Sequence, residues 1–331
     1  MPAHSLTQRN VWEAKKRIGS SAAETPLIYS PVLSDMTGSR IYLKLENINE
    51  SGSFKIRGAF NKIRCLTQEE QQRGVTTFST GNFGVSVATV ANQLGIKAVI
   101  CLSKRVPKAK VDVLKRTGAH IEVIGESQDD AEEHCYHLER EQGLTVVHPF
   151  DDPFIIAGQG TIGLEILDEL PEVDTVIGGL SGGGLHSGLA KALKPADSRI
   201  RLIGVSTAKG PAMYESIQAG KPVMVKERDT LADSLLGGIG LNNQYTFSMV
   251  QQYVDDMVLL EEKDIAKGMA FMLETHRMAV EGAAAAGIGA ILHKHIQPGS
   301  HTVVVISGSS VDTSTICAVA QNDQSLGWNG S

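Results

Sequence analysis

From residue 75 onward the chain repeats one unit: a short run of β-branched and apolar residues, a turn, then a stretch with apolar residues at helical spacing. The runs VTTFST (75–80), KAVICL (97–102), HIEVIG (120–125), TVVHPF (145–150), TVIGGL (175–180), RLIGVS (201–206), DMVLLE (256–261) and HTVVVIS (301–307) read as strands. IYLKLE reads as one more, ahead of them. Between them lie helical stretches such as FGVSVATVANQLG, PKAKVDVLKRTGA and IIAGQGTIGLEILDEL. Strands that are apolar nearly throughout need cover on both faces, so the alternation predicts an α/β fold of parallel sheets flanked by helices. The strands are too many for one modest sheet, and HPFDDP (148–153) reads as a crossover. The expected organisation is a small mobile domain over 74–150 and a large domain from 1–73 and 151–331. A ligand then sits between them, at the carboxyl ends of strands. The Gly/Asn-rich stretch LADSLLGGIGLNNQ (231–244) is expected to be an ordered loop near that cleft.

Bulk properties narrow the function classes. A net charge of −6 gives no long-range basic field to attract nucleic acid or an anionic membrane, so a small anion needs a local site. The four cysteines (Cys65, Cys101, Cys135, Cys317) show no C-x-x-C spacing, which favours reduced thiols over a disulfide frame or a zinc site. The polar start MPAHSLTQRN is unlike a secretory signal, and no apolar run reaches a membrane span. The expectation is a cytoplasmic protein acting on a small molecule, without nucleic acid or membrane.

Three stretches carry candidate chemistry. Ser181-Gly182-Gly183-Gly184-Leu185 follows the strand TVIGGL and opens the helix LHSGLAKAL. Consecutive glycines let backbone N–H groups turn around an anion at the positive end of a helix, which makes a phosphate cradle. No Lys-Ser/Thr follows, so it is not an ATP-type loop, and no G-x-G-x-x-G points to a dinucleotide. Lys55, in Ser53-Phe54-Lys55-Ile56-Arg57-Gly58, starts a helix beside apolar neighbours. The helix dipole and lost solvation both disfavour its charged form and favour a nucleophilic amine. Ser79-Thr80-Gly81-Asn82-Phe83-Gly84 joins a strand to a helix, so its polar groups either cap that helix or hold a carboxylate.

With these motifs in order, the chain resembles the fold-type II pyridoxal-phosphate enzymes, and within them the threonine/serine dehydratase and serine racemase family. The resemblance runs from TPL (26–28) to Asp312 and rests on YLKLENINESGSFKIRGA, STGNFG, SGGGL and ISGSSVD. It implies a two-domain fold with pyridoxal 5'-phosphate held by Lys55 as a Schiff base. It implies that Phe54 packs on the cofactor ring, that Asn82 contacts the ring hydroxyl, and that Gly182, Gly183, Gly184 and Leu185 hold the phosphate. Ser307 takes the place of the serine at the pyridine nitrogen, and Glu281 that of an acid near the ring. Ser79, Thr80, Gly81 and Phe83 form the loop for the substrate carboxylate. Members of the family are commonly dimers or tetramers, so the resemblance implies a homodimer or homotetramer.

The chain departs from the family pattern at three places. Phe83 stands where the family has histidine, which removes a polar group beside the substrate. Ser206 and Ala212 stand where many relatives place acidic ligands for a divalent cation, so no metal is expected there. Gly308-Ser309-Ser310 replaces a Gly-Gly-Asn. TLADSLLGGIGLNNQYTF and VEGAAAAG are similar to the dehydratases of hydroxyectoine utilisation. The expected activity is loss of water from a β-hydroxy amino acid, releasing a 2-oxo acid and ammonia. The alternatives are an amino-acid racemase, with Thr80 as a second base, and a non-catalytic phosphate-ligand binding protein.

Overall fold

The computed structural model describes residues 6–321 except 80, 105, 107 and 127, and the backbone alone at 108–110, 128 and 129. Ten strands form two sheets among the described residues. They are β1 (Leu27–Tyr29), β2 (Arg40–Lys44), β3 (Val75–Thr77), β4 (Ala98–Leu102), β5 (His120–Val123), β6 (Thr145–Val146), β7 (Thr175–Gly179), β8 (Arg201–Thr207), β9 (Asp256–Leu260) and β10 (His301–Val305). The larger sheet has the order β1-β2-β10-β7-β8-β9 and the smaller β5-β4-β3-β6. Every pair is parallel except β1–β2. The expected α/β architecture is therefore the observed one.

The central strands β10 and β7 are buried along nearly their whole length, as expected of parallel strands with helices on both faces. One face packs Ile41, Leu43, Ile177 and Val304 against the helix Gly282–Leu292. The other packs Val176, Leu202 and Val303 against the helices Pro153–Glu169 and Gly184–Leu193. The sequence GAAAAGIGAIL is small and apolar all round, so that first helix is buried on every side. A Cβ at Gly289 would lie 2.1 Å from the Asp264 carbonyl, which fixes how closely the helix Glu262–His276 lies on it.

The smaller sheet shares its core with Ile56 and Phe60 of the helix Lys55–Arg64. Each strand expected from the pattern is present, although β6 stops after two residues. His148 Nδ1 there accepts from the Phe150 and Asp151 N–H groups, turning the chain out of the sheet. The antiparallel edge strand β1, only three residues long, gave no periodic signal. No described helix is long and apolar enough to cross a membrane.

Candidate active site

Because β2, β3, β7 and β10 are parallel within their sheets, their carboxyl ends and the following loops can meet on one cavity. Lys55 enters it from the first residue of its helix. The segment before that helix is zipped to the loop after β10: Phe54 N–H donates to the Ser307 carbonyl at 3.0 Å, and Ser309 N–H to the Gly52 carbonyl at 2.9 Å. Glu281 N–H donates to the Gly308 carbonyl at 3.2 Å. Three distant stretches of sequence thereby fix Lys55, Ser307 and Glu281 relative to one another.

Burial pushes the Lys55 amine below the ordinary lysine range, and the pull of Glu281 and Asp233 in the opposite direction does not restore it. Glu281, 3% exposed, shows the converse. Burial drives its carboxyl up to about 7, with Asp233 adding repulsion, against the lowering effects of the Asn82 hydrogen bond and of Lys55. Asn82 Nδ2 donates to both Glu281 oxygens at 2.9 Å. The site therefore holds an amine and a carboxyl whose pKa values are moved toward each other, a pattern characteristic of proton-transfer sites.

The glycine loop lies opposite. Gly183 has φ +85°, a left-handed conformation that side chains disfavour, and it caps the helix Gly184–Leu193. The N–H groups of Gly184 and Leu185, in that helix's first turn, have no intrahelical partner. A Cβ on Gly182 would meet the Phe150 ring at 2.4 Å, and one on Gly183 would meet Val250 at 2.8 Å. Side chains here would fill the cradle or displace its walls.

Phe54, Lys55, Asn82, Gly182, Gly183, Gly184, Leu185, Glu281 and Ser307 all line this one cavity. Ser79 and Gly81 sit in the turn that leads into Asn82, and Gly81 lines an adjoining opening that shares Asn82 and Glu281. That turn is tight, since a Cβ at Gly84 would be 2.1 Å from the Ser79 carbonyl. Thr80 lies outside the described residues. The Phe83 side chain is a correction. It is fully buried in the smaller sheet's core with Val87, Ile100 and Ile56, so it does not stand beside a substrate. Phe83, Val87 and Val90 repeat at helical spacing, and the apolar face of the helix Asn82–Gln93 draws the ring inward. Ser206 and Ala212 are both buried.

The cavity also includes Phe150, Gln159, His186, Ser234 and Leu235, which motif reasoning did not single out. A polar Gln159 inside the small, apolar run IIAGQGTIG was the available signal. Gln159 Oε1 and His186 Nδ1 are buried without a hydrogen-bond partner. Burial lowers the His186 pKa to about 4, so the ring is neutral, and its Nε2 lies 3.1 Å from the Ile203 carbonyl. That carbonyl can only accept, which leaves Nδ1 as an unsatisfied acceptor.

Comparison with known proteins agrees with this geometry. Residues 19–308 match the family model described as pyridoxal-phosphate dependent enzyme. The chain is 44% identical to a putative threonine dehydratase of Sinorhizobium fredii, covering 93% of each protein. It is 40% identical to an L-threonine ammonia-lyase of Thermotoga maritima, over 94% of this chain and 77% of that protein. Among solved structures, maize serine racemase superposes with a TM-score of 0.90 at 32% identity, over 95% of this chain and 96% of that one. Pyridoxal phosphate fits the residues present. The glycine cradle and free N–H groups suit its phosphate, the deprotonatable Lys55 its aldehyde, and the orphaned polar atoms of Gln159 and His186 call for a polar occupant.

Proposed function

Because the chain belongs to the pyridoxal-phosphate dependent enzyme family, as a carbon–nitrogen lyase related to the threonine ammonia-lyases, we propose that it eliminates water from a β-hydroxy α-amino acid. The reading rests on one observation above all: the buried Lys55 amine, with its lowered pKa, faces the same cavity as the glycine cradle. Bound pyridoxal phosphate supplies an electron sink at the substrate Cα. Lys55 Nζ then has two tasks, to take the Cα proton and to pass a proton to the departing β-hydroxyl. The backbone around Ser79 and Gly81, at the head of the helix Asn82–Gln93, receives the substrate carboxylate. Ser307 offers a neutral hydroxyl, which does not hold a pyridine nitrogen protonated, and this favours elimination over transamination. Phe54, Phe150 and Leu185 line the cavity and keep water from the reacting carbon.

We place the substrate among β-hydroxy amino acids larger than threonine, such as the ring-opened product of hydroxyectoine. Two observations support this. The stretch similar to the hydroxyectoine dehydratases brings Ser234 and Leu235 onto the cavity. The adjoining opening, bordered by Gly81, Thr230, Asp233 and Ser310, leaves room for a longer side chain. Phe83, being in the core, no longer argues for it. The test is a panel of threonine, serine, threo-3-hydroxyaspartate and the ring-opened product, with 2-oxo acid, ammonia and D-enantiomer all measured. Release of oxo acid and ammonia is expected, fastest from the ring-opened product. D-enantiomer formation without oxo acid would instead establish a racemase. Fastest turnover of threonine would overturn the substrate assignment alone.

A further inference from the structure

On the far side of the large sheet from the glycine cradle, the helix Glu262–His276 begins beside the end of the helix Gly282–Leu292. Asp264, in the first turn of one, is 2% exposed, and two imidazoles from just past the other converge on its carboxylate. His293 Nδ1 bonds to Oδ1, while His295 Nε2 lies 3.4 Å from Oδ2. One donor atom from each of the three residues lies within 4.8 Å of the others. We propose that Asp264, His293 and His295 form a binding site for a divalent transition-metal ion of the zinc class, separate from the proposed active site.

The chemistry and geometry support this together. Two imidazoles and a carboxylate are a ligand set that zinc accepts, with a fourth position left for water. Tetrahedral ligands at zinc bond lengths stand about 3.4 Å apart, a spacing that the His295–Asp264 pair already has, while His293 would swing out of its direct contact with Oδ1 to admit the ion. The His293 and His295 side chains are 32% and 42% exposed, so an ion and its water have access. Asp264 Oδ2 also accepts from the Glu261 N–H at 3.0 Å, an outer-sphere contact that orients the carboxylate.

The backbone is shaped for the same convergence. Lys294 adopts a left-handed φ of 60°, uncommon for a side-chain-bearing residue, at a position where helices commonly use glycine. With the His295 N–H bonded back to the Ala290 carbonyl at 2.9 Å, this turn places both flanking histidines against Asp264. Ile296, 4% exposed, anchors the far side of the turn in the core. A bound ion would clamp two helices, one of which carries Glu281 at its opposite end.

The test uses the holoenzyme after chelator treatment and dialysis. Zinc titration calorimetry on the native chain is expected to show a site that the double variant His293→Asn/His295→Asn lacks. Zinc should raise the native Tm by about 2 °C or more and leave the variant's unchanged. Cobalt(II) should give the intense visible bands of a low-coordinate imidazole site in the native chain only. Unchanged basal turnover in the double variant would show that it is folded. Should it fail to fold, His295→Gln alone, which leaves the Asp264–His293 bond intact, is expected to show the same loss of zinc response. No zinc binding by the native chain, or binding that survives these substitutions, would overturn the proposal.

Discussion

Lys55 and Arg57 stand two residues apart on one helix, roughly 200° around its axis, with Arg57 buried and Lys55 half-buried at the cavity. Their surroundings differ in one respect. Arg57 meets two carboxylates: its Nε donates to Glu46 Oε2 at 2.8 Å and its Nη2 to Glu165 Oε2 at 2.8 Å. Lys44, also buried, adds a second cation at 2.9 Å from Glu165. Burial alone would lower the Arg57 pKa, but Glu46 and Glu165 outweigh it and raise the value. For Glu165 burial pushes upward, yet Arg57 and Lys44 hold the carboxyl below its usual range. Among the described residues Lys55 has no ion pair, and there burial prevails. Matched charges make a rigid buttress under the helix, and the unmatched one above it is left reactive.

The largest test of this contrast exchanges the two positions. Lys55→Ala is expected to reduce turnover about 10³-fold or more with little loss of stability, measured by oxo-acid release and urea unfolding. Arg57→Ala should do the reverse and cost about 3–5 kcal/mol of unfolding free energy, because Glu46 would remain buried without a cation and Glu165 with Lys44 alone. A stable Arg57→Ala protein would mean that the network is not a buttress.

Smaller effects sharpen the cavity side. Gly183→Asp forces a side chain onto a left-handed backbone and adds negative charge to the cradle. Cofactor affinity, read by fluorescence titration, should fall about 100-fold. Unchanged affinity would remove the cradle from the account. Glu281→Gln tests the raised carboxyl in the cofactor-free protein. The native group is neutral in both states below the unfolded value of about 4.5, and its neutral form is retained in the fold up to about 7. Its contribution to stability is therefore fully present below 4.5 and lost as pH rises toward 7. The glutamine variant should match the native protein near pH 4 and exceed it above pH 7 by ~1–3 kcal/mol. A difference independent of pH would show that the carboxyl is not raised.

Much of the fold was legible because parallel strands buried on both faces are apolar runs, and HTVVV or RLIGV admits few other readings. The cavity motifs were legible because glycines at strand–helix junctions restrict what the backbone there can do. The buried charges were not. Lys44, Glu46 and Glu165 are charged residues within otherwise apolar runs, and a single sequence does not reveal that distant chain segments bring them together. Phe83 shows the opposite difficulty. Its place in a polar loop motif suggested the substrate, while its helical spacing with Val87 and Val90 pointed to the core, and burial of the ring prevailed.

The most direct measurement is borohydride reduction of the holoenzyme followed by peptide mass spectrometry. A cofactor-derived mass is expected on Lys55, with the other lysines unmodified, and is expected to be lost in Lys55→Ala. A label on another lysine, or a protein that takes up no cofactor, would contradict it.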